Sequence, residues 1–260
     1  MNNVNKTLYI PLYGKSFVSQ KGIILNDPKA EEIWAKEGFK LKGKSKSKWL
    51  SYYMGMRAAV FDNWIKGKIS EYPDGVVIQL GCGMDSRIER TKIQSLWYDV
   101  DFADVIKERQ KYYRETDNYK MIPSDIRDID WLKRIPNAKT GLIIAEGVSM
   151  YMEPDSFKKV LTALAEHFES IYILTDCYSK FAAKASEYKN PVNDVGVTKL
   201  YGIDSPEELI SDKIKYKEEH EITPEHLISE LTGFERAVFK KLYAGNFAKG
   251  LYRLYEYESI

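Results

Sequence analysis

Two cysteines, Cys82 and Cys177, are all that 260 residues contain, too few for a disulfide framework or, alone, for a metal site. A reducing, cytoplasmic setting is therefore expected. Net charge of one sign is lacking too: the formal balance is +1, so nothing global draws the chain to nucleic acid or to an anionic membrane surface. No apolar run approaches the roughly 20 residues of a membrane span, and the polar stretch Met1 to Lys6 leads into no signal-type apolar core. Histidine is scarce, with His167, His220 and His226 the whole supply of that general base. There is no internal repeat and no low-complexity segment. What remains, 44% hydrophobic and 30% charged, is the composition of an ordinary soluble protein, long enough for one large α/β domain.

The most informative stretch is Val76 to Arg87. Val76-Val77-Ile78-Gln79-Leu80 is nearly all apolar and β-branched, as expected of a parallel strand covered on both faces. It runs into Gly81-Cys82-Gly83, where two glycines one residue apart allow a tight turn and let backbone N–H groups approach a ligand. Strand, glycine turn and helix together open a nucleotide-binding βαβ unit. The third glycine of a dinucleotide fingerprint is missing, its position being Ser86. No Tyr-x-x-x-Lys pair suits a nicotinamide reaction either, so the ligand expected is an adenosine without a diphosphate.

Further polar residues fall where the ends of parallel strands would carry them. Leu96 to Asp101 reads as the second strand, and Asp101 stands 20 residues beyond Gly81, where such a unit places its ribose-binding acid. Asp99, two residues away, is the alternative, and a helix N-cap is another role open to Asp101. Tyr119 to Pro123 is a third strand. Past it, Asp125 is placed to accept an adenine amino group and the N–H of Ile126 to donate to the ring, with an Asx-turn fitting as well. Thr140 to Ala145 is the fourth strand and delivers Glu146; Ile171 to Thr175 is the fifth.

Around these strands the helices are legible. Asp27-Pro28 opens one over Pro28 to Glu37, and Lys46 to Ile69 is a long amphipathic one with Arg57 at the edge of its apolar stripe. Arg57 either snorkels or clamps a carboxylate with two parallel hydrogen bonds. Lys15 follows the short run Leu8-Tyr9-Ile10, stopped by Pro11, and its ordinary reading is a solvated surface lysine. Pro154 starts a helix with Phe157, Val160, Leu161 and Leu164 on one face. Residues 178–230 break the alternation, with a capping box from Ser205 to Glu208. Phe234 to Leu242 and Leu251 to Tyr257 read as a closing antiparallel strand pair.

Taken together, Leu80-Gly81-Cys82-Gly83-Met84-Asp85-Ser86-Arg87, Trp97-Tyr98-Asp99-Val100-Asp101-Phe102, Ser124-Asp125-Ile126-Arg127-Asp128 and Ala145-Glu146-Gly147-Val148-Ser149-Met150-Tyr151-Met152 resemble the leucine carboxyl methyltransferase family. The better match is its bacterial, polyketide O-methyltransferase branch, whose N-terminal segment Leu12 to Lys15 and Asp27 to Ile33 also resemble. The likeness covers roughly residues 8–211.

It implies a single α/β domain with a doubly wound, Rossmann-like sheet, mostly parallel with an antiparallel terminal strand. Residues 1–70 would be an N-terminal helical cap, 71–178 and 231–260 the core, and 179–230 a substrate-side insertion. It also implies S-adenosyl-L-methionine as cofactor. Lys15 and Arg57 would hold the methionine carboxylate, Gly81, Cys82 and Gly83 would pass beneath it, and Glu146 would take the amino group. Asp101 would bind the ribose, and Asp125 and Ile126 the adenine. Tyr151 and Tyr201 are the residues chosen for the acceptor pocket; the partner expected is a small molecule. An O-methyltransferase acting on a carboxylate is favoured over one acting on a hydroxyl, because no histidine falls in the motifs; a non-catalytic cofactor-binding module is the remaining alternative.

Overall fold

In the computed structural model, which describes residues 5–37, 43–189 and 199–260, seven strands form one sheet. They are β1 (Val76–Leu80), β2 (Trp97–Asp101), β3 (Tyr119–Pro123), β4 (Thr140–Ala145), β5 (Ser170–Tyr178), β6 (Ile214–His220) and β7 (Tyr252–Ser259), in the order β3-β2-β1-β4-β5-β7-β6. The first five pair in parallel, with Val77 beside both Trp97 and Leu142; β7 runs antiparallel to β5 and β6 antiparallel to β7. Chain order reverses between β1 and β4. At such a point the connections leave to opposite faces and open a crevice at the strands' carboxyl ends.

Both faces of the parallel strands are covered, which is why β1, β2 and β4 are buried at every position. Ile78, Leu80, Val100 and Ile143 pack with Phe157, Val160, Leu161 and Leu164 of α6 (Pro154–His167). On the other face Val77, Leu142 and Ile144 meet Phe61, Trp64 and Ile65 of α3 (Lys48–Glu71). Outside α3 lies α1 (Tyr9–Gln20), followed by α2 (Pro28–Glu37), whose entry is capped by Asp27 accepting the Ala30 N–H at 2.9 Å. Pro11 does not stop a segment: it occupies the first turn of α1, where its missing N–H costs no intrahelical bond.

The short helices α4 (Arg87–Thr91) and α5 (Ala103–Arg109) follow β1 and β2, and α7 (Lys180–Lys189) follows β5. The C-terminal third departs from expectation. Phe234–Leu242 is not a strand but part of α9 (Gly233–Tyr243), after α8 (Glu225–Ile228) and before α10 (Asn246–Leu251). Only Phe239 of α9 is buried, against Tyr52 of α3, while Phe234 and Leu242 are exposed. Its apolar residues recur at i, i+4, i+5 and i+8, a helical period. The partner of β7 is instead β6, inside the 179–230 stretch expected to be an insertion. As the outermost strand β6 is free to carry Lys215, Lys217, Glu218 and Glu219, and charge on an edge strand discourages further pairing.

Candidate cofactor cleft

The crevice at the carboxyl ends of β1, β2, β3 and β4 is a cavity of about 390 Å³. Lys15, Arg57, Gly81, Cys82, Gly83, Asp101, Asp125, Ile126, Glu146 and Tyr151 all line it. Tyr201 does not: it lies in a separate small crevice near Pro154, its hydroxyl 3.4 Å from a Glu153 carboxylate oxygen. None of the described residues lining the cleft is a histidine. His167 packs edge-on to Phe168, and His220 meets Glu256 at 2.6 Å between β6 and β7. Glu218, His220 and Glu256 bring their ligand atoms within 4.8 Å of one another, but Glu256 is already taken by Lys68 at 2.9 Å and Lys217 at 3.0 Å.

The glycine turn forms the floor. Gly81 and Gly83 both have left-handed φ values, +60° and +50°, and a Cβ on Gly81 would lie 2.5 Å from the Val148 side chain. The turn is tied to β2: Gly83 N–H donates to Asp101 Oδ2 at 2.8 Å, and Phe102 N–H donates to Oδ1 at 2.8 Å. Burial pushes the Asp101 carboxyl up to about 6 against those two donors and against Arg109. Asp99 has no access to the cleft. It is fully buried, accepting from Trp97 Nε1 at 2.9 Å and pairing with Arg109 at 2.6 Å. The Cys82 thiol is also driven up by burial and stays neutral.

Behind the turn lies an ionic network that the sequence did not disclose. Lys15 is 2% exposed, not a surface lysine, and reaches Asp85 at 2.5 Å. Asp85 also meets Arg87 at 2.9 Å, Arg90 at 2.8 Å and Gln79 Nε2 at 2.9 Å. Burial alone would raise its pKa, but the three cations hold it well below the usual carboxylate range. Ser86, in the place of a third glycine, is fully buried and donates to Asp27 at 2.5 Å, linking the turn to the cap of α2. Arg57 neither snorkels nor stays idle. It is 4% exposed and pairs with Glu146 at 3.0 Å and Asp176 at 2.9 Å. Glu146 sits between Arg57 and Arg87, which outweigh its burial and keep it ionised.

Arg87, Arg90, Asp62, Asp85 and Asp176 are the site-side residues that sequence reasoning passed over. Asp176, near the end of β5, carried one usable signal: polar residues at the carboxyl ends of parallel strands line the crevice.

The donor set fits S-adenosylmethionine. A carboxylate closes β2, cations and an anion lie side by side at Arg57, Lys15 and Glu146, and the buried Gln79 Oε1 at the cleft wall has no hydrogen-bond partner among the described residues. Asp125 sits at the other end on the rim, where hydrogen bonds from the Arg127 guanidinium and N–H lower its pKa. The sheet and cleft are those of a Rossmann-like S-adenosylmethionine-dependent methyltransferase. A magnesium protoporphyrin IX methyltransferase from Synechocystis, solved with bound S-adenosylhomocysteine, shares the fold (TM-score 0.52, 11% identity, 89% of this chain and 92% of that one). So does a Streptomyces avermitilis protein (TM-score 0.54, 10% identity, covering 89% and 88%).

The leucine carboxyl methyltransferase profile matches residues 3–165, and the chain belongs to that family. Its relatives include the tetracenomycin polyketide synthesis O-methyltransferase of Streptomyces glaucescens, 28% identical over 81% of this chain and 79% of the relative. Another is an S-adenosyl-L-methionine-dependent methyltransferase of Gibberella zeae, 26% identical over 84% and 82%. The protein is a methyltransferase with S-adenosyl-L-methionine as its cofactor.

Proposed function

We propose that the acceptor is a small molecule with an apolar body and that the methyl group goes to its carboxylate, giving a methyl ester. One observation carries this reading: no free base lines the cleft among the described residues. Asp85 and Glu146 are held by arginines and Asp125 by Arg127, while Asp101, which burial pushes up to about 6, accepts two N–H groups and in our reading is committed to the ribose. Of the lining tyrosines, Tyr151 and Tyr252 have their hydroxyl pKa values raised by burial. A hydroxyl acceptor needs a base tuned near neutrality, whereas a carboxylic acid of pKa ~4 arrives ionised.

When bound, the cofactor supplies a methyl group activated by sulfonium. In our reading Asp101 accepts the ribose hydroxyls, Ile126 N–H and Asp125 meet the adenine, Arg57 and Lys15 hold the carboxylate and Glu146 the ammonium. Transfer to a carboxylate would form the acceptor oxygen–methyl carbon bond and break the methyl–sulfur bond, the electron pair staying on sulfur, so that no proton would have to move and the residues would only need to hold both partners. Holding the two reactants in line supplies most of the catalysis. Leu50, Met54, Met150 and Met152 add apolar lining to the cleft, against which we place the body of the acceptor. The O-methyltransferase name of the Streptomyces glaucescens relative supports transfer to oxygen.

The test uses radiolabelled cofactor and a panel of aromatic and aliphatic carboxylic acids and matched phenols. Products of the acids should release volatile methanol in mild alkali, and the rate should stay nearly flat between about pH 6 and 8. Alkali-stable products formed only from phenols would mean a hydroxyl acceptor. Cofactor binding without transfer to any member would overturn the proposed acceptor class.

A further inference from the structure

We infer that Asp176 and Tyr252 form a positioning clamp that sets both ends of the cofactor's amino-acid recognition, the Arg57 guanidinium and the Glu146–Gly147 turn, from one buried carboxylate. This rests on the placement of that moiety at Arg57 and Glu146 given above. Asp176 is fully buried near the end of β5. Its Oδ1 accepts the Gly147 N–H at 2.7 Å, and its Oδ2 accepts from Arg57 Nη1 at 2.9 Å and from the Tyr252 hydroxyl. Tyr252 Oη in turn accepts from Arg57 Nη1 at 2.5 Å. The Tyr252 ring is fixed by Tyr178, edge-on at 4.6 Å, and by Tyr53, stacked at 6.0 Å. Gly147 has φ +70°, and a Cβ there would lie 3.5 Å from the guanidinium, so turn and arginine are in contact as well as co-anchored.

The consequence is a division of labour on Arg57. Nε and Nη2 face Glu146, while Nη1 is spent on Asp176 and Tyr252. Without the clamp the planar guanidinium would be held only along its Glu146 edge and could pivot about it, so the fork of Arg57 would be less firmly aimed. An asparagine at position 176 can still accept from Gly147, but its amide NH2 then faces Arg57, donor against donor. Asp176 does not line the cleft, and Tyr252 meets it with its hydroxyl on Arg57.

Two ligands separate the clamp from a general structural role. S-adenosylhomocysteine and 5′-methylthioadenosine share adenosine and thioether, and only the first has the amino-acid moiety. Asp176→Asn should weaken S-adenosylhomocysteine by about tenfold or more and leave methylthioadenosine within about twofold. Tyr252→Phe, which keeps the ring packing, should show the same selective loss at about threefold. Equal losses for both ligands, or no loss for S-adenosylhomocysteine in either variant, would overturn the clamp. Glu146→Gln distinguishes the two levels. If it collapses the preference for S-adenosylhomocysteine while the clamp variants do not, only the clamp fails; if it leaves the preference intact, the underlying placement fails.

Discussion

Asp99 lies 2.6 Å from the Arg109 guanidinium, and both side chains are fully buried beneath the glycine turn. The other nitrogens of Arg109 donate to the Gly83 carbonyl at 3.2 Å, the Asp85 carbonyl at 2.6 Å and the Tyr119 hydroxyl at 3.0 Å. Its plane lies 4.0 Å over the Tyr113 ring. The arginine therefore satisfies turn carbonyls from below while Asp101, two residues on, holds the same turn from the cleft side. The two aspartates of β2 thus hold the turn from opposite sides, and in our reading only Asp101 also meets the ligand.

That division predicts opposite phenotypes. Asp99→Ala leaves Arg109 buried without its counter-charge and should cost about 3–5 kcal/mol of stability. Asp101→Ala removes a carboxylate that burial disfavours but also leaves the Gly83 and Phe102 N–H groups without their acceptor, and because the two effects oppose each other thermal stability should change little. Cofactor affinity should instead fall by about 1.5–3 kcal/mol, the range for a hydrogen bond to a charged group. Melting temperatures and calorimetric titrations of both variants check this. A stable Asp99→Ala protein would show that the pair is not integral to the turn.

Acid should weaken cofactor binding through Asp101. Its folded pKa of about 6 is above the ordinary 3.8, so its contribution to stability is fully present below 3.8 and is lost as pH rises through 6. Ribose hydroxyls prefer the ionised form. Binding below about pH 6 must therefore expel a proton, and affinity should fall by up to tenfold per pH unit there while staying flat above. Titrations at about pH 5 and 7, in buffers of differing ionisation enthalpy, read both the affinity and the proton. Asp101→Asn should bind more weakly and lose this dependence.

Sheet, glycine turn and strand-end residues were legible because they depend on local rules: apolar runs bounded by glycine, and a fixed spacing from Gly81 to Asp101. The ionic network was not legible. Asp62, Arg87 and Arg90 look like surface charges in sequence and become buried only because α2, α3 and α4 converge behind the turn. The ordinary reading of Lys15 as a surface lysine failed for the same reason, since it is buried against Asp85 at the cleft. β6 was hidden by its charge, which is tolerable at an edge, and α9 by the brevity of its apolar pattern. Tyr201 was a choice among nineteen tyrosines with nothing local to distinguish it.

Arg57→Lys should be costly on two counts. An ammonium keeps the charge but cannot span Glu146, Asp176 and Tyr252 at once. A buried acceptor left unmet costs about 1–3 kcal/mol, so stability should fall by that amount while the fold persists. Affinity for the cofactor should drop in parallel, by about tenfold or more. Loss of stability with affinity intact would make Arg57 a purely structural residue.

Gly81 and Gly147 share a left-handed backbone but not the space around it, and this separates two costs. Alanine at either position meets the backbone penalty of about 1–2 kcal/mol. At Gly147 (φ +70°) the added Cβ would rest at ordinary distance, 3.5 Å, from Arg57, and little more is expected. At Gly81 (φ +60°) it would fall 2.5 Å from Val148 Cγ2, on a β-branched side chain with few rotamers to retreat into. Overpacking should add about 1–3 kcal/mol and displace the turn on which Asp101 and the cofactor depend. Gly81→Ala should thus be the more destabilised and the weaker binder. Combining it with Val148→Ala should recover the overpacking part alone, leaving the double variant close to Gly147→Ala in melting temperature. If Val148→Ala recovers nothing, the cost of Gly81→Ala lies wholly in the backbone and the close approach to Val148 is incidental.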